Sequence, residues 1–105
     1  MTEAAYQSKL IRKLKRIFPG CVVLKNDSQY LQGILDLTIF WGPCWAMLEV
    51  KPSATAAEQP NQSYYVRQMD DMSFAAFIFP ENEEEVLTAL SEAFASRGAA
   101  CLPQS

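Results

Sequence analysis

The sequence predicts one α/β domain in which helices flank a mixed sheet in the order αβββαβα. Three observations carry this reading. Residues 2–18 repeat apolar side chains at helical spacing, and the apolar runs 34–40 and 45–51 flank a tight Trp41-Gly42-Pro43-Cys44 turn. A third apolar run of strand length, 74–79, lies between two further helical patterns. The chain has 105 residues, half of them apolar, which suffices for a single core spanning 1–105.

Taken in order, the first helix is expected over 2–18, with Thr2 as N-cap and Pro19-Gly20 as the stop. Tyr6, Leu10, Leu14, Ile17 and Phe18 form its apolar stripe, and Lys9, Arg12, Lys13 and Arg16 cover the opposite side. At roughly 100° per residue, Glu3 falls inside the apolar stripe. Residues 21–24 read as a short strand, followed by a polar loop through Asn26, Asp27, Ser28 and Gln32-Gly33. The runs 34–40 and 45–51 then form an antiparallel hairpin. A second helix is expected from Gln59-Pro60 to about Met72, since proline suits a first helical turn. The run 74–79 is a buried strand. Asn82 with Glu85 forms a capping-box-like start to a last helix, with Val86, Leu87, Leu90 and Phe94 as its stripe and Gly98 near its end.

Composition narrows the chemistry. The chain has no histidine, which excludes Ser-His, Cys-His and His-metal sites. Its three cysteines, Cys21, Cys44 and Cys101, are widely spaced and odd in number, so they read as reduced thiols in a cytoplasmic protein. No run is long enough for a membrane-spanning helix, and the N-terminus is polar and basic, unlike a signal peptide. The net charge is −3 but polarised. Residues 1–51 hold seven Lys or Arg against four Asp or Glu, and residues 52–105 hold two against eight. A polyanion is drawn to the first half.

Within that half, side chains alternate along the second hairpin strand, so Glu49 and Lys51 share one face and Val50 takes the other. Asp36 sits between Leu35 and Leu37 in an otherwise apolar strand. Burying such carboxylates without partners costs several kcal/mol, roughly. Two readings stand. In one, Lys51 forms an ordinary cross-strand ion pair with Asp36 or Glu49. In the other, Asp36, Glu49 and a backbone carbonyl hold Mg²⁺, which would stabilise phosphate charge and activate water, with Lys51 assisting.

Gly33-x-x-Asp36, twelve intervening residues and then Glu49-Val50-Lys51 resembles the signature of the PD-(D/E)XK nuclease superfamily. Gln62-x-x-Tyr65 is similar to an element of some of its branches, VRR-NUC-type nucleases among them. The usual proline before the aspartate is replaced by Leu35. The resemblance covers 3–79 and implies a restriction-endonuclease-like core. It implies Asp36, Glu49, Lys51 and Gln62 as catalytic residues, with Mg²⁺ (or Mn²⁺) held by Glu3, Asp36, Glu49 and the Val50 carbonyl. The substrate it implies is DNA. Lys9, Arg12, Lys13, Arg16, Ser28 and Tyr65 are the expected DNA contacts, against the alternatives of a solvated helix face, a surface loop and a packing tyrosine. Trp41 and Trp45 are expected to pack rather than stack on bases. A symmetric homodimer would supply two sites for two strands, so a Holliday-junction resolvase is the specific expectation. The alternatives are an exonuclease or nicking nuclease, and a DNA-binding or assembly subunit that does not cleave.

Overall fold

The computed structural model of the chain describes residues 1–100, with side chains through 96; Cys101 lies outside the described residues. Its elements are α1 (Glu3–Ile17), β1 (Val22–Lys25), β2 (Leu37–Trp41), β3 (Cys44–Val50), α2 (Gln62–Met72), β4 (Phe74–Ile78) and α3 (Glu83–Ala100). This is the expected α/β architecture, three helices and a four-stranded mixed sheet in the order αβββαβα.

Helix α1 begins as its sequence dictates. Thr2 stays extended and its hydroxyl accepts the Ala5 N–H at 3.1 Å, satisfying one of the first-turn donors. The helix closes at Phe18, whose N–H reaches Leu14 O, and the Cys21 N–H turns back to Phe18 O. That last bond explains why β1 starts at Val22 and not at Cys21.

Strands β1, β2 and β3 form an antiparallel meander, and β4 adds to β3 in parallel, giving the order β1-β2-β3-β4. The β2–β3 hairpin is closed by the pair Trp41↔Cys44, leaving Gly42-Pro43 as a two-residue turn. Gly42 has φ +58°, which this turn requires at its first central position, and the proline ring fixes the second. The parallel β3–β4 pair needs a crossover, and α2 supplies it.

Alternation along the strands sorts the core into two layers. Leu37, Ile39, Ala46, Leu48, Val50 and Ile78 pack beneath α1 and α3 with Tyr6, Leu10, Leu14, Leu90 and Phe94. Met47, Ala75 and Leu35 pack on the other face with Tyr65, Val66 and Met69 of α2. Each fully buried leucine contributes about 1.5–3 kcal/mol, so the larger layer fixes the register of β2 and β3. Trp41 packs in a three-ring cluster with Phe18 and Phe94 and donates its indole N–H to Pro19 O, and Trp45 packs against the smaller layer. Both tryptophans pack, as expected.

Several boundaries differ from the sequence reading. Strand β2 begins at Leu37, three residues later than expected, because Gly33 (φ +90°) and a turn bond from Ile34 N–H to Leu31 O hold 31–34 out of the ladder. Asp36 therefore precedes the strand. Helix α2 begins at Gln62, because Asn61 adopts a left-handed φ of +70° that no first helical turn accommodates. Gly33 packs so tightly on this segment that an added Cβ would lie 2.6 Å from Asn61 Cβ. Asn82 does not cap α3 as expected. Its side chain turns back, accepting the Phe79 N–H and donating to Phe77 O. Helix α3 continues two residues past Gly98. Ile17 is exposed rather than part of the α1 stripe.

Candidate active site

The sheet ends where the chemistry begins. Strand β3 is apolar until Glu49, which alternation directs with Met47 toward the α2 face, away from Val50. Lys51 follows on the same side. Its N–H continues the parallel ladder to Ile78 O at 2.9 Å, which extends β-type bonding by one residue past the strand. Glu49 is 3% exposed and Lys51 6%. Both charged groups are thus inside the protein.

Asp36 enters from the other side. Because β2 starts one residue later, the Val50 N–H finds no backbone partner on that edge, and Asp36 Oδ2 accepts it at 2.9 Å. The Asp36 N–H donates in turn to Glu49 Oε1 at 3.1 Å. A strand residue presents its N–H and C=O to the same edge, so the Val50 carbonyl also faces the Asp36 side. Asn26 secures this corner: its N–H donates to Asp36 O, and its side-chain amide donates to Leu35 O and the Thr38 hydroxyl, each at 2.8 Å.

Gln62 joins the lysine to the acid. Its Oε1 accepts from Lys51 Nζ at 2.6 Å and from the Gln59 N–H at 2.8 Å, while its Nε2 donates to Glu49 Oε2. Two donors at one end and a carboxylate at the other fix which amide atom is which. The bond to Gln59 ties the start of α2 to the segment before it. Lys51 Nζ also donates to Ala57 O at 3.0 Å and lies 4.0 Å from Glu49 Oε2.

Charge in this enclosure is dear. Burial, followed by the Asp36 charge, pushes the Glu49 carboxyl from its usual 4.5 up to about 8, against the opposing pull of Lys51. Burial likewise raises Asp36, although the Val50 N–H, the hydrogen bond to Glu49 and Lys51 work the other way. Glu3 is raised by burial and then by the Asp36 charge. One lysine does not neutralise these acids.

A cavity of about 450 Å³ opens over these groups, lined by Glu3, Ser28, Asp36, Glu49, Lys51 and Gln62 together with Gln32, Gly33, Pro52 and Gln59. Glu3 does not enter the core as its helical phase suggested. The buried residues of α1 begin at Tyr6, and Glu3 is exposed and lines the cavity. Ser28 is exposed in the loop but lines the cavity. Tyr65 packs on Leu35, Met47 and Ala75 and does not line the cavity.

Of the basic helix face, Lys9, Arg12 and Arg16 are exposed. Lys13 pairs with Glu83 at 2.7 Å, and Glu83 also accepts the Tyr6 hydroxyl. Its helical phase borders Tyr6, which carries it toward α3 and away from the exposed side.

No family model, curated protein or solved structure matches this chain. The site's chemistry therefore rests on its own geometry. Among the described residues no three Asp, Glu, Cys or His side chains converge as a ready cluster for a metal ion. Asp36 and Glu49 are interlocked through the backbone, whereas Glu3 lines the same cavity and is linked to them by charge alone. Two anionic carboxylates and a backbone carbonyl are nevertheless a fitting partial donor set for a hard cation such as Mg²⁺, which keeps several waters. The hydrogen bonds take Asp36 Oδ2 and both Glu49 oxygens, and among the described residues Asp36 Oδ1 has no donor.

The sequence reading missed Asn26, which it weighed as loop, and the backbone groups Ala57 O and Gln59 N–H. Backbone atoms carry no residue-type signal. Asn26 could have been suspected only as an amide immediately following a strand.

Proposed function

We propose that the chain is a metal-dependent nuclease of the PD-(D/E)XK kind that hydrolyses DNA phosphodiester bonds. The observation that carries this reading is the pairing of two backbone-locked carboxylates, Asp36 and Glu49, with a buried lysine at the floor of one open cavity. A structural ion pair would need one acid, and the second raises the electrostatic cost unless a cation joins it.

Asp36, Glu49 and the Val50 carbonyl would hold Mg²⁺ (or Mn²⁺), with Glu3 joining from the lining of the same cavity. The ion would supply Lewis acidity toward a phosphate and lower the pKa of water. The chain's own groups do the positioning. Lys51 is held by Ala57 O and Gln62, so its ammonium offers its remaining hydrogen to a phosphate oxygen or to the attacking water. Gln62 keeps Lys51 and Glu49 in fixed relation, and Ser28 stands at the rim for a phosphate contact. Lys9, Arg12 and Arg16 provide a positive face for the DNA backbone.

A domain this small has little surface for reading bases, which favours recognition of DNA structure. The specific form of the proposal is a junction-resolving endonuclease acting as a homodimer in the cytoplasm. No helix among the described residues is long and apolar enough to cross a membrane. A second reading, a DNA-binding subunit that does not cleave, is favoured by the net charge of −3 and by the lack of a third converging ligand. A panel of four-way junction, flap, linear duplex and single strand, with and without Mg²⁺, separates these. Cleavage confined to the junction supports the specific form. Cleavage from ends supports an exonuclease, and metal-independent binding without cleavage supports the subunit.

A further inference from the structure

Lys51 belongs to two cavities. It also borders a second recess of about 190 Å³, whose other walls are Ser53, Ala54, Ala56, Glu58, Phe77 and Phe79. Lys51 Nζ lies 5.9 Å from the Phe77 ring centroid, in cation–π range, and 4.0 Å from Glu49 Oε2. A single ammonium thus separates the acid pair from an aromatic wall. Phe77 opposes Glu49 in the parallel register, which places the ring beside the acids by construction of the sheet. Phe79 follows two residues later on the same side, just past the end of β4, and both rings remain part-exposed.

We infer that this recess is a nucleobase subsite, in which Phe77 and Phe79 receive an unstacked base of the nucleotide next to the phosphate at Asp36 and Glu49. The inference rests on the nuclease reading for the position of that phosphate. The chemistry is that of base recognition. Two phenylalanine rings offer apolar contact that any base satisfies, the ammonium between the cavities pairs with the connecting phosphate, and the Ser53 hydroxyl and Glu58 carboxylate supply a polar edge for base N–H and carbonyl groups. Neither a bare phosphate nor an aliphatic ligand would use all three. The recess also gives a physical reason for selecting DNA with unpaired or distorted positions, because a base must leave its duplex stack to enter, and leaves most readily there.

The test reads binding before cleavage. A 2-aminopurine is walked through a duplex bearing a single-stranded branch and titrated with the full chain in the absence of divalent cation. One position next to the branch should brighten as its base leaves the stack. Phe79→Leu, which keeps an apolar side chain of similar size, should lose that signal and weaken binding roughly five- to a hundredfold, and Phe79→Tyr should retain both. In Mg²⁺, an abasic site at the same position should raise KM for the wild type but not for Phe79→Leu. A signal absent at every position, or one that persists in folded Phe79→Leu, overturns the subsite even if cleavage is normal. A position-specific signal without any cleavage overturns the nuclease reading and supports the subsite.

Discussion

Substituting Glu49 by glutamine should change how stability depends on pH. In the metal-free protein, burial and the neighbouring Asp36 raise the Glu49 pKa from 4.5 to about 8. Between those values the folded state keeps a proton that the unfolded chain releases, so stability falls as pH rises through the window and levels off above it. Asp36 is raised as well and acts in the same sense. At about 1.4 kcal/mol per pKa unit, the loss is a few kcal/mol. For a domain of this length that corresponds to a fall in Tm of roughly 10 °C or more. The window is clean because the chain has no histidine, the side chain that ordinarily titrates there. Glu49→Gln removes the charge but meets two N–H donors, from Asp36 and Gln62, with only one oxygen. It should therefore start about 1–3 kcal/mol less stable at pH 5 and then fall less steeply to pH 8 than the wild type, with Asp36 still titrating. Mg²⁺ should raise the wild-type Tm more at pH 8 than at pH 5, since protons compete for the same oxygens, and should leave Glu49→Gln unmoved. Calorimetry at several pH values, in chelator and in Mg²⁺, measures all of this. A wild-type Tm that is flat from pH 5 to 8, or a variant that falls in parallel with it, would refute the reasoning.

Other expectations follow from the same contacts. Lys51→Ala should abolish turnover while DNA affinity stays measurable; a proportional loss of both in binding and cleavage assays would make Lys51 a phosphate contact only. Replacing Arg12 and Arg16 with glutamine should flatten the dependence of log affinity on log salt by about one to two units, whereas Lys13→Gln should leave the slope unchanged and cost about 0.5 kcal/mol through the lost Glu83 pair. Gly33→Ala should destabilise the fold by more than about 1 kcal/mol in urea unfolding, because the site combines φ +90° with backbone contacts under 3 Å. An unchanged midpoint would show that segment 60–61 yields freely.

The parts of the molecule written in side-chain periodicity were legible in advance. The α1 cap and stripe, the hairpin and the α2–β4–α3 order all follow from apolar spacing and turn residues, and alternation placed Glu49 and Lys51 together opposite Val50. What escaped was decided by tertiary contacts. Helical phase put Glu3 in the apolar stripe, but phase cannot say where the core ends along the helix axis. Propensity favoured a helix from Pro60, yet the tight seat of Gly33 against Asn61 sets the start at Gln62. Asp36 was assigned to a strand because its neighbours are apolar. It stands before the strand instead, and that displacement frees its carboxylate to take the Val50 N–H. Lys13 shows the same limit: its pairing with Glu83 joins residues 70 positions apart, a distance no local pattern spans.

If Asp36 and Glu49 form a cation-dependent hydrolytic centre, DNA cleavage by wild type and by Asp36→Asn at equal protein concentration must differ in a defined way. Wild type should cut a branched substrate in Mg²⁺ and fail in chelator. Asp36→Asn, folded by circular dichroism and still binding the substrate, should cut slower by two orders of magnitude or more, roughly. Cleavage by Asp36→Asn at the wild-type rate, or wild-type activity indifferent to chelator, would mean that the two carboxylates hold no catalytic cation.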